Sequence, residues 1–156
     1  MKRLLALIFG IFSVVGFSQK SEEQNVKETI DAFFNAFHAQ DSMALKKVVH
    51  SSIYLQRIGE NSEGTLTLRT EDFSDLMKSI IGIPDSVSFQ ERIIDFTIQE
   101  DGRMAHAWTP YEFWYNGEFH HCGVNSFQLF KVENSWKIIY LIDTRKTEGC
   151  FLLNDE

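Results

Sequence analysis

The chain has 156 residues, of which 44% are hydrophobic and 13% aromatic, with 14 phenylalanines and a formal net charge of −7. This length and apolar content fit one domain with a substantial core and exclude a chain of two domains. The acidic balance, without a basic cluster, argues against nucleic acid or an anionic membrane as a partner.

The N-terminal residues 1–18 have the pattern of a secretory signal peptide. Lys2 and Arg3 precede the apolar run "LLALIFGIFSVVGF", and the small residues Gly16 and Ser18 stand before Gln19. The run is short for a membrane span, and no cysteine follows it that could carry a lipid anchor. We therefore expect cleavage near Gln19 and an exported protein, periplasmic or secreted, that has no membrane attachment after cleavage. The alternative is a retained N-terminal anchor helix.

The next part of the chain predicts three helices. Ser21 begins a Ser-x-x-Gln capping box, and apolar residues then recur at helical spacing through residues 22–39. Asp41 is expected to cap a shorter second helix. A third helix is expected to begin at Thr70 and to end at Gly82. Two strands are expected between the second and third helices, at 52–58 and 65–69.

From Ser86 onward the apolar pattern changes to a period of two, which is typical of strands. Asp101-Gly102 and Asn116-Gly117 are strong hairpin signals, and Glu133-Asn134 marks a third turn. The pattern predicts a four-stranded antiparallel meander at 87–100, 103–115, 118–132 and 135–145. We therefore expect an α+β domain, in which three N-terminal helices pack on the concave face of a strongly curved, mainly antiparallel sheet.

The hairpins also predict which side chains share a face. With Asn116-Gly117 as a two-residue turn, Phe113 opposes His120 and Tyr111 opposes Cys122. We assign this face as concave, because it also carries small alanines that leave room for helices. A second subunit is the simplest cover for the aromatic residues of the other face, so we expect a homodimer through the convex side of the sheet. Those aromatic residues include Trp108, Phe127, Trp136 and Tyr140.

The segment "EFHHCGVN" at 118–125 contains two adjacent histidines and a cysteine. On a strand, His120 and Cys122 point to one side and His121 to the other, so the three do not converge as zinc ligands would. We predict no metal site and no cofactor. Cys122 and Cys150 either form a disulfide, which an oxidising compartment favours, or remain two independent thiols.

The order of elements and the run "GVNSFQLFKVENSWKIIYLIDTRK" resemble the nuclear transport factor 2-like superfamily. This superfamily includes ketosteroid isomerase, SnoaL-like cyclases and exported bacterial members named for lumazine binding. The resemblance covers residues 22–146 and leaves 147–156 as a C-terminal tail. It implies a cone-shaped barrel whose interior often holds a small hydrophobic molecule, and a dimer formed through the outer face of the sheet.

The resemblance also argues against the isomerase reaction. The isomerase's catalytic aspartate, oxyanion-hole tyrosine and second aspartate are matched here by Arg57, Phe33 and Ser126. Removing a proton beside a carbonyl needs a base and a hydrogen-bond donor for the oxygen. An arginine cannot act as that base, because its pKa is too high.

A ligand pocket is expected on the concave face. Arg57 would favour a carboxylate or carbonyl oxygen there, unless it forms a buried ion pair with Asp143. The first hypothesis is an exported protein that binds a small, partly hydrophobic molecule. The second is a cyclase, dehydratase or hydrolase that uses Asp143, His120 or Tyr111, and the third is a non-catalytic dimeric interaction domain. The expected pocket residues are Phe33, Phe37, Leu55, Arg57, Thr109, Tyr111, Phe113, Val124, Ser126 and Asp143.

Overall fold

The structure is a computed structural model that describes residues 21–150. The signal peptide expected at 1–18 lies outside the described residues, as does the end of the C-terminal tail from 151 onward. None of the helices within 21–150 combines the length and the apolar character that crossing a bilayer requires.

The described chain contains three helices, α1 (Glu22–His38), α2 (Ser42–Val48) and α3 (Phe73–Ile81). The two predicted N-caps are confirmed, because Ser21 accepts a hydrogen bond from the amide of Gln24 and Asp41 accepts from Met43 and Ala44. Helix α3 begins later than expected, since Thr70 still pairs with the neighbouring strand.

Seven strands form one curved sheet: β1 (Val49–Glu60), β2 (Leu66–Glu71), β3 (Phe89–Ile93), β4 (Thr97–Glu100), β5 (Met104–Tyr115), β6 (Glu118–Val132) and β7 (Ser135–Thr144). The strand order is β2-β1-β7-β6-β5-β3, and β4 also pairs with β5. The strand expected at 87–100 is therefore divided into β3 and β4. The pairing of β1 with β7 is parallel, whereas the other pairings are antiparallel. The predicted α+β architecture is confirmed.

The core lies between the helices and the concave face of the sheet. Ala105 and Ala107 are completely covered on that face, so the predicted orientation of β5 is confirmed. Burial of the large side chains contributes roughly 1.5–3 kcal/mol each to folding. They are, in chain order, Val26, Ile30, Phe33, Phe34, Leu45, Val49, Ile80, Phe127, Leu129, Trp136 and Ile138.

The predicted facing of β6 is wrong, because a β-bulge follows the hairpin. Tyr115 opposes Glu118 as expected, but Phe113 opposes His121 and not His120. The extra residue shifts the register by one, and a shift of one moves every side chain of the strand to the other face. His121 and Phe127 consequently point into the concave side.

The first part of β7 inherits this shift through its pairing with β6, and a second irregularity, at Ile139, then reverses it. Leu129 opposes Ile138, whereas Gln128 opposes Tyr140, so Ile139 has no opposite residue. Trp136 and Ile138 therefore face the core and not the convex surface as expected. Beyond the irregularity the predicted facing is regained, with Leu141 and Asp143 on the concave side.

These shifts remove two aromatic residues from the convex surface. Phe127 is 0% exposed and Trp136 is 4% exposed, both within the core. Trp108 remains on the convex side at 45% exposure, and Tyr54 stacks against Tyr140 on the same face. Dimerisation through this face stays a prediction, now based on these three residues.

Candidate functional site

Arg57 and Asp143 lie side by side on the concave face, where the parallel strands β1 and β7 pair. The Nε of Arg57 donates to both carboxylate oxygens of Asp143, at 3.1 and 3.0 Å. Burial alone would lower the pKa of Arg57, but the adjacent carboxylate more than offsets this effect and raises it. The contact uses only Nε, so the described residues supply no hydrogen-bond acceptor to the two terminal nitrogens of the guanidinium.

Two cavities open beside this ion pair, and together we call them the Arg57 cleft. The smaller one, the apolar cavity, has a volume of about 300 Å³. Three leucines from β1, α3 and β7 line it together with six polar residues, so it offers a ligand both an apolar wall and several hydrogen-bonding groups. Its lining is Leu55, Gln56, Arg57, Arg69, Thr70, Glu71, Leu76, Leu141 and Asp143.

The larger one, the cationic cavity, has a volume of about 490 Å³ and shares Arg57 and Arg69 with the first. It lies between the ends of β1 and β2 and the segment that follows β7. Gly59 lies at the centre of this region, opposite Thr67 and beside Arg145. The complete lining is Arg57, Gly59, Glu60, Thr67, Arg69, Arg145, Lys146, Thr147 and Glu148.

A disulfide holds the wall of the cationic cavity that residues 145–148 form. Cys122 and Cys150 are joined, and the backbones of Cys122 and Lys146 exchange two hydrogen bonds of 3.0 and 2.9 Å. This closes the chain after β7 back onto β6. The sulfur of Cys122 is therefore part of a structural crosslink, and neither cysteine among the described residues is a free thiol.

Gly123 allows the same wall to approach β6 closely. A Cβ atom at this position would lie 1.8 Å from the carbonyl oxygen of Thr144 and 2.9 Å from the ring of Tyr111. That oxygen accepts a hydrogen bond of 2.9 Å from the Tyr111 hydroxyl. Any larger residue at 123 would displace the strand end that carries Asp143.

A further carboxyl group, that of the half-buried Glu91, lies on the concave face beside Asn125. The Oε1 of Glu91 accepts a hydrogen bond of 2.7 Å from the amide of Asn125, and the Glu91 backbone N–H donates to His38 at 2.9 Å. Burial raises the pKa of Glu91 to about 7, and nearby Asp143 adds to the rise, whereas Asn125 and Arg57 oppose it. Asn125 lies opposite Asp143, so this network reaches the strand that carries the ion pair.

Two further titratable groups next to this network are held neutral. Burial, reinforced by Arg145, lowers the pKa of His121 to about 3. Burial also raises the pKa of Tyr111 far above its usual range. The hydroxyl of Tyr111 and the carboxylate of Asp143 are both engaged in the contacts described above. His120 is exposed, and its Nδ1 lies 2.9 Å from that of His121.

The structure separates the expected pocket residues into three groups. Leu55, Arg57 and Asp143 line the apolar cavity. Most of the others face inward but are packed in the interior, so they line neither cavity. Aromatic rings fill the space between the helices and the sheet there; the ring centroids of Phe33 and Phe127, for example, are 6.1 Å apart. These are Phe33, Phe37, Thr109, Tyr111 and Phe113.

Val124 and Ser126 were expected in the concave pocket. This expectation is wrong, because the bulge places both residues on the convex side. Ser126 contacts His106 there, with 3.1 Å between Oγ and Nε2. Ser126 therefore does not line the concave pocket in which the sequence places it. The inward residues of this strand are Asn125 and Phe127.

Sequence reasoning missed two features. One is the set of cations that surrounds the cationic cavity, and the other is the half-buried Glu91. The segment "DTRK" carried the signal for Arg145 and Lys146, since it continues the strand that contains Asp143. Arg69 could have been found from the pairing of "TLTLR" with the strand that contains Arg57. Among residues 21–150 no three His, Cys, Asp or Glu side chains are grouped so that they could hold a metal ion.

No family model and no curated protein matches the sequence. Solved structures nevertheless share its architecture. A protein of unknown function with a cystatin-like fold from Nostoc punctiforme matches with a TM-score of 0.61 and 13% identity, over 80% of this chain and 91% of its own. An NTF2-like protein with a cystatin-like fold from Novosphingobium aromaticivorans gives 0.62 and 14%, over 83% and 84%. A Streptomyces avermitilis protein of the NTF2-like family, named provisionally as a dehydratase, gives 0.60 and 12%, over 80% and 96%. At these identities the likeness establishes the fold and not the activity.

Proposed function

We propose that this protein, which has the nuclear transport factor 2-like fold of these neighbours, binds a small, partly hydrophobic molecule in the Arg57 cleft. The observation that carries the proposal is the apolar cavity of about 300 Å³, in which Leu55, Leu76 and Leu141 meet the Arg57–Asp143 pair. Apolar walls supply affinity by removing ligand surface from water. The polar groups beside the leucines fix the orientation of the ligand.

The ion pair is suited to orienting a ligand and less suited to chemistry. Asp143 holds the guanidinium of Arg57 through Nε, which leaves the terminal nitrogens to donate to a ligand oxygen. Both carboxylate oxygens of Asp143 are occupied by this contact. These contacts favour binding over an acid–base reaction that would use Asp143 or Tyr111.

The proposal includes export, for which the support comes from two separate features. Residues 1–18 have the signal-peptide pattern described above, and Cys122 and Cys150 are bonded in a disulfide that ties down one wall of the cleft. Structural disulfides form and persist outside the reducing cytosol. N-terminal sequencing of protein recovered from a bacterial host should find a mature start near Gln19, and an intact Met1 would contradict export.

Binding is tested with N-phenyl-1-naphthylamine, an uncharged apolar molecule whose fluorescence rises when it leaves water. The wild-type protein should bind it with saturation. Leu76→Trp fills the apolar cavity from α3 and should abolish that binding. Ile81→Trp is the matched control, because Ile81 is on the same helix but is 54% exposed and lines neither cavity. Absence of saturable binding, or equal binding by the two variants with circular dichroism unchanged, would refute the proposal.

A further inference from the structure

The cationic cavity concentrates positive charge on a protein whose net charge is −7. Arg57, Arg69, Arg145 and Lys146 line it, against the two carboxylates of Glu60 and Glu148. The net charge of the residues that line this cavity is therefore positive, whereas the net charge of the whole chain is negative. A concave site with this local charge attracts anions and raises their concentration at its entrance.

The three arginines lie close together on one face of three neighbouring strands. Arg57 is directly opposite Arg69 in the β1–β2 pair and directly opposite Asp143 in the β1–β7 pair, and Arg145 follows two residues later on the same face. Like charges directly opposite each other destabilise a sheet. Only Arg57 has a carboxylate partner, since the described residues offer no hydrogen bond or ion pair to the side chains of Arg69 and Arg145.

Gly59 leaves the space between these cations open. The φ angle of Gly59 is one that other residues also adopt. An added Cβ would lie 3.8 Å from its nearest neighbour, the Cβ of Arg145, which is a normal van der Waals contact. The glycine is therefore not required by backbone strain or by close packing. A larger side chain would extend into the cavity instead.

We propose that the cationic cavity binds the oxyanion of an amphipathic organic acid, a carboxylate, sulfonate or phosphate group, while the apolar body of that molecule occupies the apolar cavity. This inference rests on the proposed function, because the two cavities share Arg57 and Arg69 and one ligand spans both. Guanidinium groups match oxyanions with paired hydrogen bonds, so several arginines around one cavity select this class of ligand. The bound anion also relieves the repulsion between Arg57 and Arg69.

A matched pair of probes separates this inference from the proposed function. N-phenyl-1-naphthylamine and 1-anilinonaphthalene-8-sulfonate share one aromatic scaffold and differ by the sulfonate. The wild-type protein should bind the sulfonate roughly tenfold or more tightly, since a charge-assisted hydrogen bond contributes at least about that factor. The preference should shrink with added salt.

Two kinds of variant should remove the preference for the sulfonate and leave binding of the uncharged amine. The double change Arg145→Gln and Lys146→Gln removes charge from residues that line only the cationic cavity, and Gly59→Leu fills that cavity while keeping every charge. Arg103→Gln, in the exposed turn before β5, is the control and should keep the preference. Saturable binding of the amine without preference for the sulfonate, or a preference that survives both kinds of variant, would overturn the inference and leave the proposed function standing.

Inorganic phosphate tests the anion site without any apolar body. In ¹⁵N NMR spectra of the wild-type protein, phosphate should shift the Nε–H signals of Arg57, Arg69 and Arg145. Those shifts should be lost in Gly59→Leu and kept in Arg103→Gln. If phosphate leaves all three signals unchanged, the anion site is refuted, whatever the result with the apolar probes.

Discussion

Replacing Glu91 with glutamine should stabilise the protein by an amount that grows with pH. Glu91 is half-buried on the concave face, and desolvation of its carboxyl group raises the pKa from the ordinary 4.5 to about 7. The unfolded chain therefore releases this proton at a lower pH than the folded protein does. The stability that protonated Glu91 contributes is complete below about pH 4.5 and is lost as the pH rises through about 7. Glutamine keeps an oxygen to accept from Asn125 and carries no charge at any pH.

The shift from 4.5 to about 7 sets the size of the effect. One pKa unit corresponds to about 1.4 kcal/mol, so the difference in unfolding free energy between variant and wild type should grow by about 3 kcal/mol between pH 5 and 8. His121 acts in the opposite direction in both proteins. Its pKa is lowered to about 3, so the fold loses stability as the pH falls below about 6.5. This contribution cancels when the variant is compared with wild type at the same pH.

Urea unfolding, followed by the fluorescence of the buried Trp136, measures both free energies across this pH range with the disulfide intact. Glu63→Gln is the matched control, because Glu63 is exposed in the turn between β1 and β2. Its difference from wild type should not depend on pH. The difference in unfolding free energy between Glu91→Gln and the wild type could instead stay constant or fall as the pH rises. Either result would refute the claim that desolvation raises the pKa of Glu91.

Three other predictions concern single contacts. Arg57→Met should lower the unfolding free energy by about 1–3 kcal/mol, because the side chain of Asp143, 12% exposed, loses its partner; unchanged stability in urea would contradict the pairing. Cys150→Ser should cost about 3–4 kcal/mol, from a crosslink that spans 28 residues, and a dithiol should have the same effect on the wild type but none on the variant. Phe127→Ala should cost about 3–5 kcal/mol because Phe127 is in the core, whereas Trp108→Ala, on the convex face, should cost far less; equal costs by calorimetry would show that the two facings are wrongly assigned.

The sequence was sufficient to predict the helices and strands whose signals are local. The caps at Ser21 and Asp41 act within one helical turn, and the turns at Gly102 and at Asn116-Gly117 have the positive φ that glycine and asparagine favour. These signals place each helix and strand to within a few residues. The predicted proximity of Arg57 and Asp143 is correct, but only because the irregularity at Ile139 reverses the shift that β7 inherits from β6.

The facing of β6 was not predictable in this way. The bulge beside Phe113 depends on how the whole strand packs, and the turn at Asn116-Gly117 does not encode it. One unpaired residue was enough to exchange the two faces and to place Val124 and Ser126 in the pocket incorrectly. The cations of the cleft were missed for a related reason. Arg69 and Arg145 are far apart in the chain, and only the pairing of β1 with both β2 and β7 brings them together.

The parallel pairing of β1 with β7 has a consequence for how the protein reaches its native state. Arg57 and Asp143 are separated by 86 residues, whereas β5, β6 and β7 are joined by short turns. Contacts between residues distant in sequence form late, because the entropy of closing the intervening loop must be overcome first. We expect the meander to assemble early and β1 to dock onto it afterwards, carrying β2 with it. The Arg57 cleft would then be completed in the last step of folding, and a chain that stops before β7 would retain its helices and hairpins but could not form either cavity.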